Sequence, residues 1–236
     1  PSIFSPMAGT VSVEMNNGEE NEMLIPKNVL LATGSRPRTL AGLTIDSQTV
    51  LTSDDALRLK QLPSSMLIIG GGVIGVEWAS MLCDFDVEVT ILEYADRILP
   101  TEDEEISKAM TKALKKKGIK IVTGAKVLPE TLSVQDGLTI SAEESGTNRD
   151  YRAEKMLVSV GRDANTDGIG LENTDIEFSK GVIQVNEVYQ TKESHIYAIG
   201  DCIGGMQLAH VASHEGIKAV EHMAGLKTEP IRYDWI

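Results

Sequence analysis

Gly70, Gly72 and Gly75 stand in G-x-G-x-x-G spacing, directly after the apolar run 66–69 and at the start of a helical pattern. In a loop that takes the diphosphate of a dinucleotide, each glycine has its own physical task. The first permits a tight turn, the second lets phosphates approach the backbone, and the third lets helix and strand pack closely. The N-terminus of the following helix then faces the phosphates. Twenty-three residues beyond Gly70, at the end of the next strand, comes Glu93. A carboxylate there accepts the ribose hydroxyls of an adenosine and repels a 2′-phosphate. The pattern predicts NAD in preference to NADP, with Arg97 the nearby residue that could answer a phosphate instead. A generic strand-to-helix turn can show the same glycines; the order strand, loop, helix, strand, acid favours the dinucleotide.

The remaining chemistry-bearing residues promise less. Cys83 and Cys202 are the two cysteines, far apart and outside any paired spacing that builds a redox disulfide, a zinc site or a disulfide framework. Cys83 falls in the helix after the glycine loop at a spacing that faces the sheet, so a buried, inert thiol is expected, and packing is the expectation for Cys202. His195, His210, His214 and His222 make a weak ligand set: His210 and His214 fall at i, i+4, but without an intervening acid. No metal site and no catalytic residue is expected in the chain. Glu77, one turn into the helix, reads from spacing alone as a solvated acid.

The elements that would hold these residues follow in order. Residues 10–15 alternate as a strand does, 16–21 supply turn chemistry, and 28–32 form a further short apolar run, together a small β element. Residues 34–37 break the pattern, and 54–61 read as a short helix with Ser53 as N-cap. From Met66 come a strand (66–69), the glycine turn, a helix (73–84), a strand (87–92) and a helix (about 102–117), a β-α-β-α series. The second helix carries acids at 102–105 and lysines at 115–117, matched to the helix dipole, with Gly118 as its stop. After a strand at 119–122, residues 127–134 and 138–142 alternate and are joined by Asp136 and Gly137 in hairpin chemistry, an antiparallel excursion. Residues 156–160 read as a buried strand, and a loop at 161–170 closes the unit. Short strands at 182–185 and 196–199 and a helix at 210–223, with Gly225 beyond it, belong to a different sheet.

Composition sets the outer limits. The 236 residues suit one or two domains with a genuine core, and 42% hydrophobic with 24% charged residues excludes wholesale disorder. Asp plus Glu outnumber Lys plus Arg by 35 to 22, a net charge of −13 that argues against nucleic acid as a partner. The longest apolar and glycine run, 66–76, falls short of the roughly 20 residues that span a bilayer, so no membrane association is expected. Unpaired cysteines point to a reducing, cytoplasmic compartment. The absence of an initiator Met or a leader at 1–6, and the apolar stop at 230–236, suggest a piece of a longer protein.

Ile69, Gly70, Gly71, Gly72, Val73, Ile74, Gly75, Val76 and Glu77 together resemble the NAD-domain signature of the pyridine nucleotide-disulfide oxidoreductases, flavoproteins that bind two dinucleotides. Glu93 fits their NAD-dependent branch. Ala32, Thr33, Gly34, Ser35, Arg36 and Pro37 are similar to the segment where the family's chain leaves its FAD domain. Residues 191–201 resemble its second FAD motif, whose final acid, here Asp201, holds the ribityl chain. Gln207, Leu208, Ala209 and His210 resemble the segment that lines the flavin, with Gln207 where Met is more usual. Residues 159–166, which include Gly161, resemble a loop beside the nicotinamide, with Ala164 in place of Pro. The resemblance implies cofactor-binding roles for these residues and for Val127, and places Glu77 between nicotinamide and flavin.

The resemblance further implies NAD and FAD as cofactors and an α/β fold. A Rossmann-like NAD-binding domain at 43–165, a parallel sheet with an antiparallel excursion, would be inserted in a partial FAD-binding domain made of 1–42 and 166–236. The parent would be a homodimeric oxidoreductase of the NAD-linked branch that oxidises dihydrolipoyl groups. Its partner would be the lipoyl-bearing acyltransferase of a 2-oxo acid dehydrogenase complex, with electrons passing through a disulfide and FAD to NAD+. The chain lacks the family's redox cysteine pair, its first FAD glycine loop and its C-terminal interface domain. It is therefore expected to be inactive alone, to bind NAD and to retain no flavin. Two alternatives stand: a non-catalytic dinucleotide-binding module, or a piece of another branch such as mercuric or coenzyme A disulfide reductase.

Overall fold

The computed structural model describes residues 10–13, 22–135 and 137–236. The chain divides into two compact units, Pro37–Arg162 and Pro1–Arg36 with Asp163–Ile236. Both divisions fall a few residues earlier in the chain than the expected edges at 42 and 165. The first strands are β1 (Val11–Val13), β2 (Glu22–Leu24), β3 (Val29–Leu31) and β4 (Ser35–Pro37). The inner unit holds β5 (Val50–Thr52), α1 (Ser53–Ala56), β6 (Ser65–Ile69), α2 (Val73–Asp84), β7 (Glu88–Leu92), α3 (Glu104–Lys116) and β8 (Lys120–Val122). It continues with β9 (Ala125–Ser133), β10 (Leu138–Glu144), β11 (Thr147–Ala153) and β12 (Lys155–Val158). Then follow β13 (Arg162–Ala164), β14 (Phe178–Ser179), β15 (Val182–Ile183), β16 (Ile196–Ala198) and α4 (Ala209–Met223).

In the inner unit, five strands pair in the order β5-β12-β6-β7-β8, all parallel. Parallel sheets are covered on both faces, which is why residues 66–69 of β6 and 156–158 of β12 are continuous apolar runs rather than alternating ones. Met66, Ile68, Val89, Ile91 and Leu157 pack on one face with Val76, Ala79 and Leu82 of α2 and Leu114 of α3. Leu67, Ile69, Leu92, Met156 and Val158 pack on the other with Leu138, Ile140, Ala142 and Tyr151 of an antiparallel meander, β9-β10-β11. The unit is thus helices, parallel sheet and meander in three layers.

Four local expectations need correction. The meander has three strands, not two. β11, sequence Thr-Asn-Arg-Asp-Tyr-Arg-Ala, is an edge strand with only Tyr151 fully buried, so it carries no apolar alternation to read. The turn assigned to Asp136 lies outside the described residues, as do 14–21, which include the turn expected at 16–21. The helix expected over 54–61 ends at Ala56, and its N-cap is Thr52, not Ser53. The Thr52 hydroxyl accepts the Asp55 amide while the Asp55 carboxylate accepts the Thr52 amide, a capping box that fixes the start one residue earlier. The helix expected from 102 begins at Glu104, because Asp103 caps it by accepting the Glu105 amide at 2.8 Å. Cys83 is half-buried rather than buried. It sits beside the 75, 76, 79, 82 stripe of α2, where its thiol reaches the Lys117 carbonyl at 3.3 Å.

In the outer unit β3 and β16 pair in parallel, β1 with β2 and β14 with β15 antiparallel. Leu31, Ile183, Ile196, Ala198 and the buried Cys202 share one small core. Tyr189, Tyr197, Ile199 and Ala219 of α4 share another.

Candidate dinucleotide-binding site

In the inner sheet β6 lies between β7, reached through α2, and β12, reached through the long excursion on the other side. The chain direction across the sheet therefore reverses at β6, and a crevice at the carboxyl ends of such strands is where open α/β sheets take ligands. The carboxyl end of β6 is the glycine loop. Gly70 has φ +105°, a conformation open to glycine, and its amide donates to the Leu92 carbonyl at 2.9 Å. A Cβ there would run into the Ser159 carbonyl, and one on Gly75 would run into the Gly70 carbonyl. Both glycines are demanded by the fold itself. Gly72 differs: a Cβ on it would meet nothing within 4 Å. It is the N-cap of α2, with no side chain capping the helix and no acid in the first turn, so the amides of that turn stand available to an anion.

Glu93 follows β7 and is buried, at 9% exposure. One carboxylate oxygen accepts the Gly71 amide at 2.5 Å and the other the Ala95 amide at 2.6 Å. Two of roughly four acceptor positions on the carboxylate are thereby used, which leaves capacity for hydroxyl donors. Just after β12, the Ser159 hydroxyl donates to the carbonyls of Ile69 at 3.1 Å and Gly70 at 3.2 Å, bracing the loop. Gly161, φ +116°, accepts the Arg38 amide at 2.9 Å. Along α2, Val73 and Glu77 are exposed, Ile74 is half-buried and Val76 is buried against the sheet. Val127 lies in β9 opposite Ala142, packed against the cluster that includes Ile69 and Leu92.

The other expected residues gather in the outer unit. Gly34, φ +67°, is held by Asn165, whose amide donates to the Gly34 carbonyl at 2.9 Å and whose side chain donates to the Thr33 carbonyl at 2.9 Å. Ser35 donates to the Asp201 carboxylate. The Thr33 hydroxyl oxygen is buried without a hydrogen-bond partner among the described residues, an orphan that a bound polar group would satisfy. Gln207, Leu208, Ala209 and His210, at the start of α4, are exposed.

Sequence reasoning missed Glu215. Buried at 3% exposure, it accepts the Gly200 amide and the Tyr233 hydroxyl, each at 2.7 Å, and so anchors the turn that carries Asp201. Burial, then the bonds to Tyr189 and Glu215, push the Tyr233 phenol well above its ordinary value. The available signal was position: Glu215 sits at i+4 from Val211 and i−4 from Ala219, on the buried stripe of α4. No group of three or more metal-capable side chains gathers among the described residues.

The arrangement, a glycine loop at the reversal point of a parallel sheet with an acid after the next strand, is the architecture of the doubly wound α/β folds. Residues 4–216 match the family model described as pyridine nucleotide-disulphide oxidoreductase, and the chain belongs to that family. It is similar to the dihydrolipoyl dehydrogenase of Bacillus subtilis (strain 168), 67% identical over 232 residues that cover 98% of this chain and 49% of the relative. A dihydrolipoyl dehydrogenase of Mycobacterium leprae (strain TN) is 39% identical over 225 residues, 94% of this chain and 48% of that protein. Among solved structures, LpdA of Mycobacterium tuberculosis superimposes with a TM-score of 0.86 at 28% identity, covering 96% of this chain and 49% of that one. The chain spans about half the length of the curated relatives it matches.

Proposed function

We propose that the chain is the central part of a dihydrolipoyl dehydrogenase, and that its inner unit binds NAD. The observation that carries the reading is the contrast among the glycines. Gly70 and Gly75 are required by packing, whereas Gly72 faces open space at an uncapped helix start and needs a reason outside the protein. A diphosphate resting on that surface supplies the reason. In this reading Gly70 to Ile74 cradle the phosphates and Glu93 takes the ribose hydroxyls. Val76, Glu77, Val127 and Gly161 border the nucleotide.

The outer unit fits a flavin. The orphaned Thr33 hydroxyl, the Ser35–Asp201 pair and the turn held by Glu215 are polar groups arranged for a ligand. Thr33, Gly34, Ser35 and Asp201 would hold FAD, with Gln207, Leu208, Ala209 and His210 beside it. FAD, when bound, carries the electrons between a dithiol and the nicotinamide, and the protein's part is to bind and orient the two cofactors. The whole protein would be a homodimer that oxidises dihydrolipoyl groups on the acyltransferase of a 2-oxo acid dehydrogenase complex in the cytoplasm. Among the described residues no helix is long and apolar enough to cross a membrane.

The test is NAD+ reduction by the whole protein that contains this chain, with dihydrolipoamide as donor. Turnover of NAD+ with dihydrolipoamide is expected, and no oxidation of NADH or NADPH with mercuric ion or coenzyme A disulfide as the electron acceptor. The reverse preference would move the chain to a neighbouring branch. The isolated chain is expected to be colourless after purification, and flavin absorbance bands would contradict that.

A further inference from the structure

Gly71 is the residue that the G-x-G-x-x-G pattern leaves unspecified, and its φ is not positive, so backbone conformation does not demand glycine there. Space does. A Cβ on Gly71 would lie 2.8 Å from Ile98 Cγ2 and 3.2 Å from both Cβ and Oε2 of Glu93. Its amide donates to the Glu93 carboxylate, and its carbonyl accepts the Leu99 amide at 2.7 Å. Leu99 takes φ +49° in the turn that makes this bond, a conformation disfavoured for a branched side chain. The loop after β7 is thus clamped on Gly71 through both its amide and its carbonyl.

We infer that Gly71 is a positioning residue for cofactor choice, acting through Glu93. The inference rests on the NAD reading above and deepens it. Glu93 is a long side chain with three rotatable bonds, and as an acceptor for two ribose hydroxyls it must arrive already ordered. The Gly71 amide and the Ala95 amide fix its two oxygens separately, so the carboxylate plane is set before any ligand binds. A methyl group on Gly71 must displace something. Ile98 is fully buried in the core, so the loop that carries the methyl group must move off it, and the bond from the Gly71 amide to the Glu93 carboxylate is what that movement disturbs.

The test is a pair of titrations of this chain, with NADH and with NADPH, in wild type, Gly71→Ala, Glu93→Ala and the double variant. Gly71→Ala is expected to weaken NADH about ten-fold, the scale of a lost hydrogen bond to a charged group. NADPH meets the same phosphate loop but gains nothing from an ordered carboxylate, so it should weaken several-fold less and the preference for NADH should narrow. In the Glu93→Ala background the second substitution should leave the ratio of the two affinities unchanged. Equal weakening of both nucleotides in Gly71→Ala, or a ratio that shifts further in the double variant, would mean a merely structural glycine and would overturn the inference. Wild type that binds neither nucleotide would remove the NAD reading and this inference together; wild type that binds, with the preference of Gly71→Ala undiminished, would remove the inference alone. If Gly71→Ala does not fold, amide hydrogen exchange decides. Exchange at Gly71 should accelerate in Glu93→Ala, and unchanged protection there overturns the clamp.

Discussion

Replacing Gly72 by Ala should separate binding from folding. In the ligand-free fold the new methyl group meets nothing within 4 Å, and the backbone is already extended at φ −72° and ψ −176°, open to any residue. Two small opposing terms act on stability. Removing glycine freedom from the unfolded chain stabilises by roughly 0.4–1 kcal/mol, and alanine is the poorer N-cap by a comparable amount. Unfolding free energy should therefore stay within about 1 kcal/mol of wild type, a shift of no more than about 2–4 °C in Tm for a chain of this size. Binding should suffer far more. A methyl group set where the diphosphate rests on the backbone costs on the order of 1–3 kcal/mol of overpacking, or about five- to more than a hundred-fold in NADH affinity. Calorimetric titration with NADH, alongside thermal unfolding, reads both numbers. A Gly72→Ala variant that binds NADH within about two-fold of wild type would refute the assignment of this surface to a diphosphate. Gly75→Ala is the contrast, because its methyl group strikes the Gly70 carbonyl and should lower stability together with affinity.

Other outcomes follow from single contacts. Asp103→Ala removes the cap of α3 and should lower stability by about 0.5–2 kcal/mol in denaturant titration. Asp55 should make the inner unit acid-sensitive. Burial pushes its carboxyl up, but the Thr52 hydrogen bonds and its other favourable contacts outweigh burial and hold it below the ordinary value. Its contribution is full above about pH 4 and is lost as pH falls through the depressed folded-state value, so Asp55→Ala should flatten that part of the stability profile. Tyr151 titrates the other way. Burial and the adjacent Glu144 push its phenol up to about 12, so its contribution is present below about pH 10 and is lost as pH rises from there to about 12. Spectrophotometric titration of wild type against Tyr151→Phe reads that step.

The parallel sheet and its helices were legible because their signals are periodic and local. α2 runs from Val73 to Asp84 as its spacing predicts, between a glycine loop and a short turn. Gly118, φ +102°, follows α3 where a left-handed stop is expected. β11 was illegible because an edge strand with one fully buried side chain has no pattern to follow. The glycine loop could be read as a motif, but the division of labour within it could not. Gly70, Gly71, Gly72 and Gly75 are identical letters whose reasons are, in turn, dihedral angle, contact with Glu93 and Ile98, open approach, and contact with a carbonyl. Tertiary neighbours from β7 and β12 decide among these. Glu215 and the Thr33 hydroxyl were hidden for the same reason. A buried carboxylate and an unsatisfied oxygen are properties of packing, and the sequence around them offers only an acid on an apolar stripe and a threonine in a loop.

In the proposed function the inner unit is an NAD module whose preference is set by Glu93. The most direct measurement is calorimetric titration of the purified chain with NADH and, at the same ionic strength, with NADPH. NADH should bind more tightly than NADPH, and that advantage should be lost on Glu93→Ala. Tighter binding of NADPH, or a preference for NADH that survives Glu93→Ala, would contradict that assignment.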